Sequence, residues 1–154
     1  MAGKIDAKLA ELGLTIETPA PPAANYVPFV QVGDLVFISG QVAMDADGMR
    51  KGTLGAGTSV EEGVAAARLC AINLIAQAKA ACGGDLDRVV RVVKLNGFVA
   101  STADFGDHPK VINGASDLMV EVFGDAGRHA RAAVGSPSLP FGVMVEIEGI
   151  FQIA

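Results

Sequence analysis

Residues 59–84, SVEEGVAAARLCAINLIAQAKAACGG, restrict the fold more than any other stretch of the chain. Thr58 or Ser59 can accept hydrogen bonds from the free amides of a helix start, and Glu61 or Glu62 can complete a capping box from the other side. Val60, Val64, Ala67, Ala71, Leu74, Ile75, Ala78 and Cys82 then recur at helical spacing, and Gly83-Gly84 ends the run. Because the stripe is rich in alanine, another layer can approach closely, so the segment predicts a long helix lying on a sheet. Arg68 and Asn73 flank the stripe and read as solvated or hydrogen-bonded structural residues. Cys70 and Cys82 would sit about 18 Å apart along this helix, too far to bridge, and read as core thiols of a reducing compartment.

The rest of the chain supplies the sheet. Phe29–Val32 and Leu35–Ser39 flank Gly33-Asp34, a hairpin signal, and the second strand is expected to end at Ser39-Gly40. Residues 89–100, VVRVVKLNGFVA, are rich in β-branched side chains and predict a central strand. Asp107, His108 and Pro109 open a second helix whose buried stripe is Ile112, Ala115, Met119, Val122 and Phe123, with Gly124 as its stop. Along the last strand Val143, Val145, Ile147, Phe151 and Ile153 point one way. The order predicts an α+β fold with a mixed β-sheet and two long helices on one face. The opposite face then needs another cover.

Before the hairpin, Ile5, Leu9 and Leu12 predict a short amphipathic helix stopped at Gly13. TPAPPAANY, residues 18–26, predicts an extended linker. The division is an N-terminal helical arm and Pro-rich linker over 1–23 and one domain over 24–154. The arm interleaves charges with its apolar residues and does not read as a signal peptide, so a cytoplasmic protein is expected. No uninterrupted apolar run suggests a membrane span. Half of the residues are nonetheless apolar, and that surplus predicts an oligomer interface. A formal net charge of -5 with 12 Lys plus Arg argues against a nucleic-acid partner. Residues 52–59, GTLGAGTS, approach a phosphate-binding loop, but Thr58 stands where the lysine is needed, and the segment reads as a loop. His108 and His129 are not at metal-ligand spacing and there is no C-x-x-C, so no metal and no cofactor are expected. His129, two residues from Arg131, reads as a solvated or interface imidazole, with a contact to a pocket as the other reading.

The stretch 128–149, RHARAAVGSPSLPFGVMVEIEG, carries the candidate chemistry. It has Arg131 at the start of a short apolar run, a turn rich in Ser, Pro and Gly, and a returning strand bearing Glu146 and Glu148. A guanidinium presents a planar fork of donors that fits a carboxylate bidentately, so Arg131 reads either as a clamp for an acid or as a surface ion-pair partner.

Arg131, Val134, Leu139-Pro140 and Val145-Glu146-Ile147-Glu148, together with Phe37-Ile38-Ser39-Gly40-Gln41 upstream and Tyr26 before it, resemble the Rid family (YjgF-type, reactive intermediate deaminases). The resemblance spans roughly residues 24 to 154. It implies a chorismate-mutase-like (YjgF-like) fold in a trimeric assembly, and hydrolysis of short 2-imino acids to 2-oxo acids and ammonium. By the same resemblance Arg131 binds the substrate carboxylate and Glu146 orients or deprotonates a water. Tyr26, Ser39, Gly40, Asn113 and the backbone of Ala133 shape the pocket. Ala133 stands where many members carry cysteine, Ala24-Asn25-Tyr26 replaces the usual Gly-Pro-Tyr, and DFGDHPKVIN is longer than the common spacing. Two alternatives remain at this level: a trimer that binds small carboxylates without turning them over, and an endoribonuclease or translation inhibitor.

Overall fold

The computed structural model describes residues 2–19, 21 and 24–154. Helix α1 (Lys4–Glu11) precedes strands β1 (Phe29–Val32) and β2 (Leu35–Val42), and a small hairpin, β3 (Met44–Asp45) and β4 (Gly48–Met49), follows. Then come α2 (Val60–Ala81), β5 (Val89–Ala100), α3 (His108–Phe123), β6 (Ala130–Ser136) and β7 (Val145–Ile153). The main sheet has the order β1-β2-β7-β5-β6. Only β5 and β6 pair in parallel, joined by α3, while β7 runs antiparallel to both β2 and β5. The sheet is mixed, as expected, and both long helices lie on one face. The β3–β4 hairpin falls in a stretch without the alternation that would have announced it. The expected linker over 18–26 includes Ala20, Pro22 and Ala23, which lie outside the described residues.

Strand β7 is central because it alternates without interruption. Val145, Ile147, Gly149, Phe151 and Ile153 are buried, and the residues between them are half-buried. The buried row meets α2, whose capping box is Ser59 with Glu62. Burial on α2 spreads wider than the predicted stripe. Gly63, Ala66, Cys70 and Gln77 are also inside, because the helix touches α3 on one flank and the sheet on another. At the helix–helix contact a side chain at Gly63 would press on Val111, and one at Gly114 would strike the Val64 carbonyl. By length and composition α2 could cross a membrane, yet half of it is buried against its own domain. Asn73 donates to the carbonyls of Val42 and Met44, and Arg68 pairs with Glu121, so both have the structural roles expected. Cys70 and Cys82 are free and buried, and burial pushes both thiols up, away from the reactive thiolate form.

Helix α1 docks onto the domain. Leu9 belongs to the same hydrophobic cluster as β7, and Ile5 and Leu12 pack against it. Its N-terminus has no side-chain cap of its own. The carboxylate of Asp87, 83 positions away, accepts from the Lys4 and Ile5 amides at 2.8 Å each, satisfying two of the helix's free donors. Those two hydrogen bonds hold the Asp87 carboxyl below its usual range. On the opposite side of the sheet Val30, Val32, Phe37 and Val134 remain exposed, Val32 to 62%. No described element of the chain covers this face.

Candidate active site

Arg131 lies on β6, an edge strand, opposite Leu95 of β5. Leu95 is fully buried beneath the helices, so Arg131 leaves the sheet on the helix side. There it meets α3. Nη1 donates to Asn113 Oδ1 at 2.8 Å and to Ser116 Oγ at 3.1 Å, and Nη2 donates to the Pro109 carbonyl at 3.4 Å. Both hydrogens of Nη1 and one of Nη2 are thereby engaged. What remains is Nε–H with the second Nη2 hydrogen, the parallel pair that takes a carboxylate bidentately. The half-buried Arg131 is not a surface ion-pair partner, since no carboxylate among the described residues lies in salt-bridge range of it.

Ala133 follows two positions along and faces the helices with Gly97, its partner on β5, where a side chain would collide with Ile112. Asn113 is therefore in contact with the arginine, and Ala133 shares its strand face. Ser116 was not identified from the sequence. Its signal was available: it lies three residues beyond Asn113, one turn further along the same side of the helix. His129 is half-buried and hydrogen-bonded at both ring nitrogens. Its Nε2 is 2.8 Å from Ser116 Oγ and its Nδ1 is 2.7 Å from the Gly127 carbonyl.

The remaining predicted residues gather elsewhere. Strand β2 does not end at Ser39-Gly40 as expected. It continues to Val42 through a register shift between Ile38 and Gln41, a bulge that keeps the strand paired while changing its direction. A side chain at Gly40 would meet the end of the Glu146 side chain, so the glycine leaves that carboxylate its present position. Ser39 donates its hydroxyl proton to the Val27 carbonyl at 2.8 Å, so it also fixes the segment after Tyr26. Tyr26, Ser39, Gly40, Val42, Phe141 and Glu146 line one side of a cleft of about 940 Å³, with Asn73 and Gln77 of α2 on another side. Phe141, 70% exposed, holds φ 62°, the left-handed region that a bulky residue seldom adopts without cause.

Glu146 pairs with Phe98 of β5 and so leaves the sheet on the face away from the helices, as does Glu148, which pairs with Asn96. Partial burial, and after it the charge of Glu148, push the Glu146 carboxyl above its ordinary range. No described residue donates a hydrogen bond to it. An unpartnered carboxyl with a raised proton affinity is suited to take a proton from water.

Arg131 and Glu146 are not brought together within one protomer. Strand β5 runs between their strands, and the register Arg131–Leu95–Gly149 puts Glu146 three residues further along β7. At about 4.8 Å per strand and 3.3 Å per residue their Cα atoms are roughly 14 Å apart, and their side chains leave opposite faces. The molecule thus carries two half-sites, a cationic one at the β6 edge and an acidic one beside the β2 bulge. Among the described residues no cluster of His, Cys, Asp or Glu could hold a metal ion.

The mixed sheet with its two-helix layer and the half-sites define the class. A family model described as "YjgF/chorismate_mutase-like, putative endoribonuclease" matches residues 6–151. The chain belongs to this family and has its YjgF-like fold. Protein TCP17 of Trypanosoma cruzi is 48% identical over 154 residues, covering 99% of this chain and 96% of that protein. A 2-iminobutanoate/2-iminopropanoate deaminase of Dermatophagoides farinae is 34% identical over 140 residues, covering 90% of this chain and 94% of that one. Among solved structures, the Agrobacterium tumefaciens protein Atu1372, described as of unknown function, superposes with a TM-score of 0.88 at 50% identity. That match covers 97% of this chain and 93% of the other.

Proposed function

We propose that the protein hydrolyses short 2-imino acids to 2-oxo acids and ammonium, at a site that two copies of the chain complete together in a homotrimer. The single observation that carries this reading is the open edge of Arg131, its Nε–H and one Nη2 hydrogen, left by bonds from Nη1 to Asn113 and Ser116 and from Nη2 to the Pro109 carbonyl. Two further features support it. The acidic half-site lies on the other face of the sheet, too far away to act within the same chain, and the sheet face beside it exposes apolar side chains suited to burial against a neighbour. A relative in the family carries the deaminase name.

In this mechanism the substrate carboxylate takes the Arg131 fork, which fixes the imine carbon beside a water held by Glu146 of a neighbouring copy. The iminium carbon is already electrophilic, so orientation supplies most of what the step needs. Glu146 accepts one proton as the water oxygen bonds to carbon. The resulting aminol receives that proton on nitrogen, the C–N bond breaks to expel ammonia as the C=O bond forms, and the hydroxyl proton passes through Glu146 to that ammonia, leaving the 2-oxo acid and ammonium. Tyr26 and Phe141 wall the side-chain end of the cleft, and the Ala133 backbone borders the clamp.

The test generates the imine in place with an amino-acid oxidase or a pyridoxal-phosphate lyase and follows its decay. Wild-type protein accelerates the decay. Arg131→Ala loses about a hundredfold or more of that rate, from two charge-assisted hydrogen bonds, while keeping its melting temperature. Unchanged turnover in the variant overturns the proposal, and so does a monomer in solution.

A further inference from the structure

Three hydrogen bonds run in series from the clamp into the turn before its strand: Arg131 to Ser116, Ser116 to His129, and His129 to the Gly127 carbonyl. The chemistry of the end groups fixes where the protons lie. A carbonyl oxygen only accepts, so His129 Nδ1 carries hydrogen. A guanidinium only donates, so Ser116 Oγ accepts from Arg131. With a neutral imidazole Nε2 is bare and takes the Ser116 hydroxyl proton, and every group in the series is satisfied. Burial above all lowers the proton affinity of this imidazole. The Gly127 carbonyl acts in the opposite sense, and the Arg131 charge adds to the lowering. A protonated ring would turn Nε2 into a donor, deprive the hydroxyl proton of this acceptor and set a second cation beside the guanidinium.

We infer that His129 is a positioning residue for Arg131: as a neutral acceptor it fixes the Ser116 hydroxyl, and Ser116 with Asn113 then holds Nη1 so that the Nε/Nη2 edge faces the ligand. Both ring nitrogens are taken by these bonds, so the imidazole acts on the clamp through Ser116. Its effect is to select one rotation of a long side chain on an edge strand that would otherwise sample several. The inference rests on the reading of Arg131 as a carboxylate clamp.

The experiment has a direct arm and a binding arm. Nitrogen-15 NMR of the wild-type imidazoles at pH 7.5 is expected to find His129 neutral and protonated at Nδ1. The binding arm titrates pyruvate, a stable 2-oxo acid, into wild type, Arg131→Ala, His129→Leu and His129→Gln. Binding is expected to vanish in Arg131→Ala and to weaken about tenfold in His129→Leu. In His129→Gln, whose amide oxygen can accept from Ser116, it should return to within about threefold of wild type. An Nε2-protonated ring, or a His129→Leu protein that binds as wild type does while Arg131→Ala does not, overturns this inference alone. Wild type that fails to bind pyruvate, or binding unchanged in Arg131→Ala, overturns the clamp and this inference together.

Discussion

The two half-sites are built on opposite plans. Around Arg131 every neighbour is committed: Asn113, Ser116 and Pro109 hold the guanidinium, and His129 holds Ser116. Around Glu146 the protein clears space instead, with a glycine at position 40 and an open cleft, and leaves the carboxylate without a donor among the described residues. A group that binds charge works best when its direction is fixed beforehand. A group that moves a proton works best when its ionised form is under-supported, so that its proton affinity approaches the working pH. On the proposed function, the contrast separates a clamp from a base by the density of their hydrogen bonds.

The sharpest way to break the comparison is to swap the emphasis at each end. Loss of the guanidinium in Arg131→Ala is expected to have the largest effect on turnover. Glu146→Gln should cost on the order of a hundredfold in turnover, within the usual range for a positioned base, with little change in pyruvate affinity. Stability should move the other way. The folded protein keeps the Glu146 proton to a higher pH than the unfolded chain does, so the stabilisation present at low pH is lost as pH rises through the raised value. The neutral Glu146→Gln protein should accordingly melt above wild type at neutral pH, with the gap narrowing in acid. A variant that melts lower at neutral pH would show that Glu146 is supported rather than strained.

Smaller effects sharpen the picture. Gly40→Ala displaces the Glu146 carboxylate and is expected to lower turnover about tenfold, consistent with a misplaced base rather than a missing one. If turnover is unchanged, the cleared space at Gly40 is incidental. The smallest effect on chemistry belongs to Asp87→Ala, which removes the cap on α1. Amide exchange across residues 5–11 should quicken while pyruvate binding holds. The Asp87 carboxyl lies below its usual range, so the docking it supports is present at neutral pH and fades as pH falls through the lowered value. Exchange in α1 that ignores both the substitution and acid would mean that Leu9 packing alone secures the arm.

Much of the layout was legible because it is periodic. The spacing of Val60 through Cys82 announced α2, and the alternation from Val143 to Ile153 announced β7 and its one apolar face. Asn113 and Glu146 were reached through motif resemblance, and Asn113 does meet Arg131. Ser116 could have been found from its spacing to Asn113, whereas the full role of His129 was not legible, because a single imidazole has no period. Both acquire a role only when α3 is laid against β6. The bulge at Ser39-Gly40 escaped for a similar reason. It lies against Glu146, more than a hundred positions away.

What the sequence determined by itself is the long elements and the faces that α2, α3 and β7 bury, since spacing and capping are local properties of the chain. What only the tertiary structure decided is which strands lie side by side. Placing β7 between β2 and β5, and β5 between β7 and β6, sends Arg131 and Glu146 to opposite faces, and the packing of α1 lets Asp87, 83 positions on from Lys4, cap that helix. Hydrogen bonds across a sheet tie residues that no short window of sequence contains, and the register they impose determines the side on which every charged group emerges.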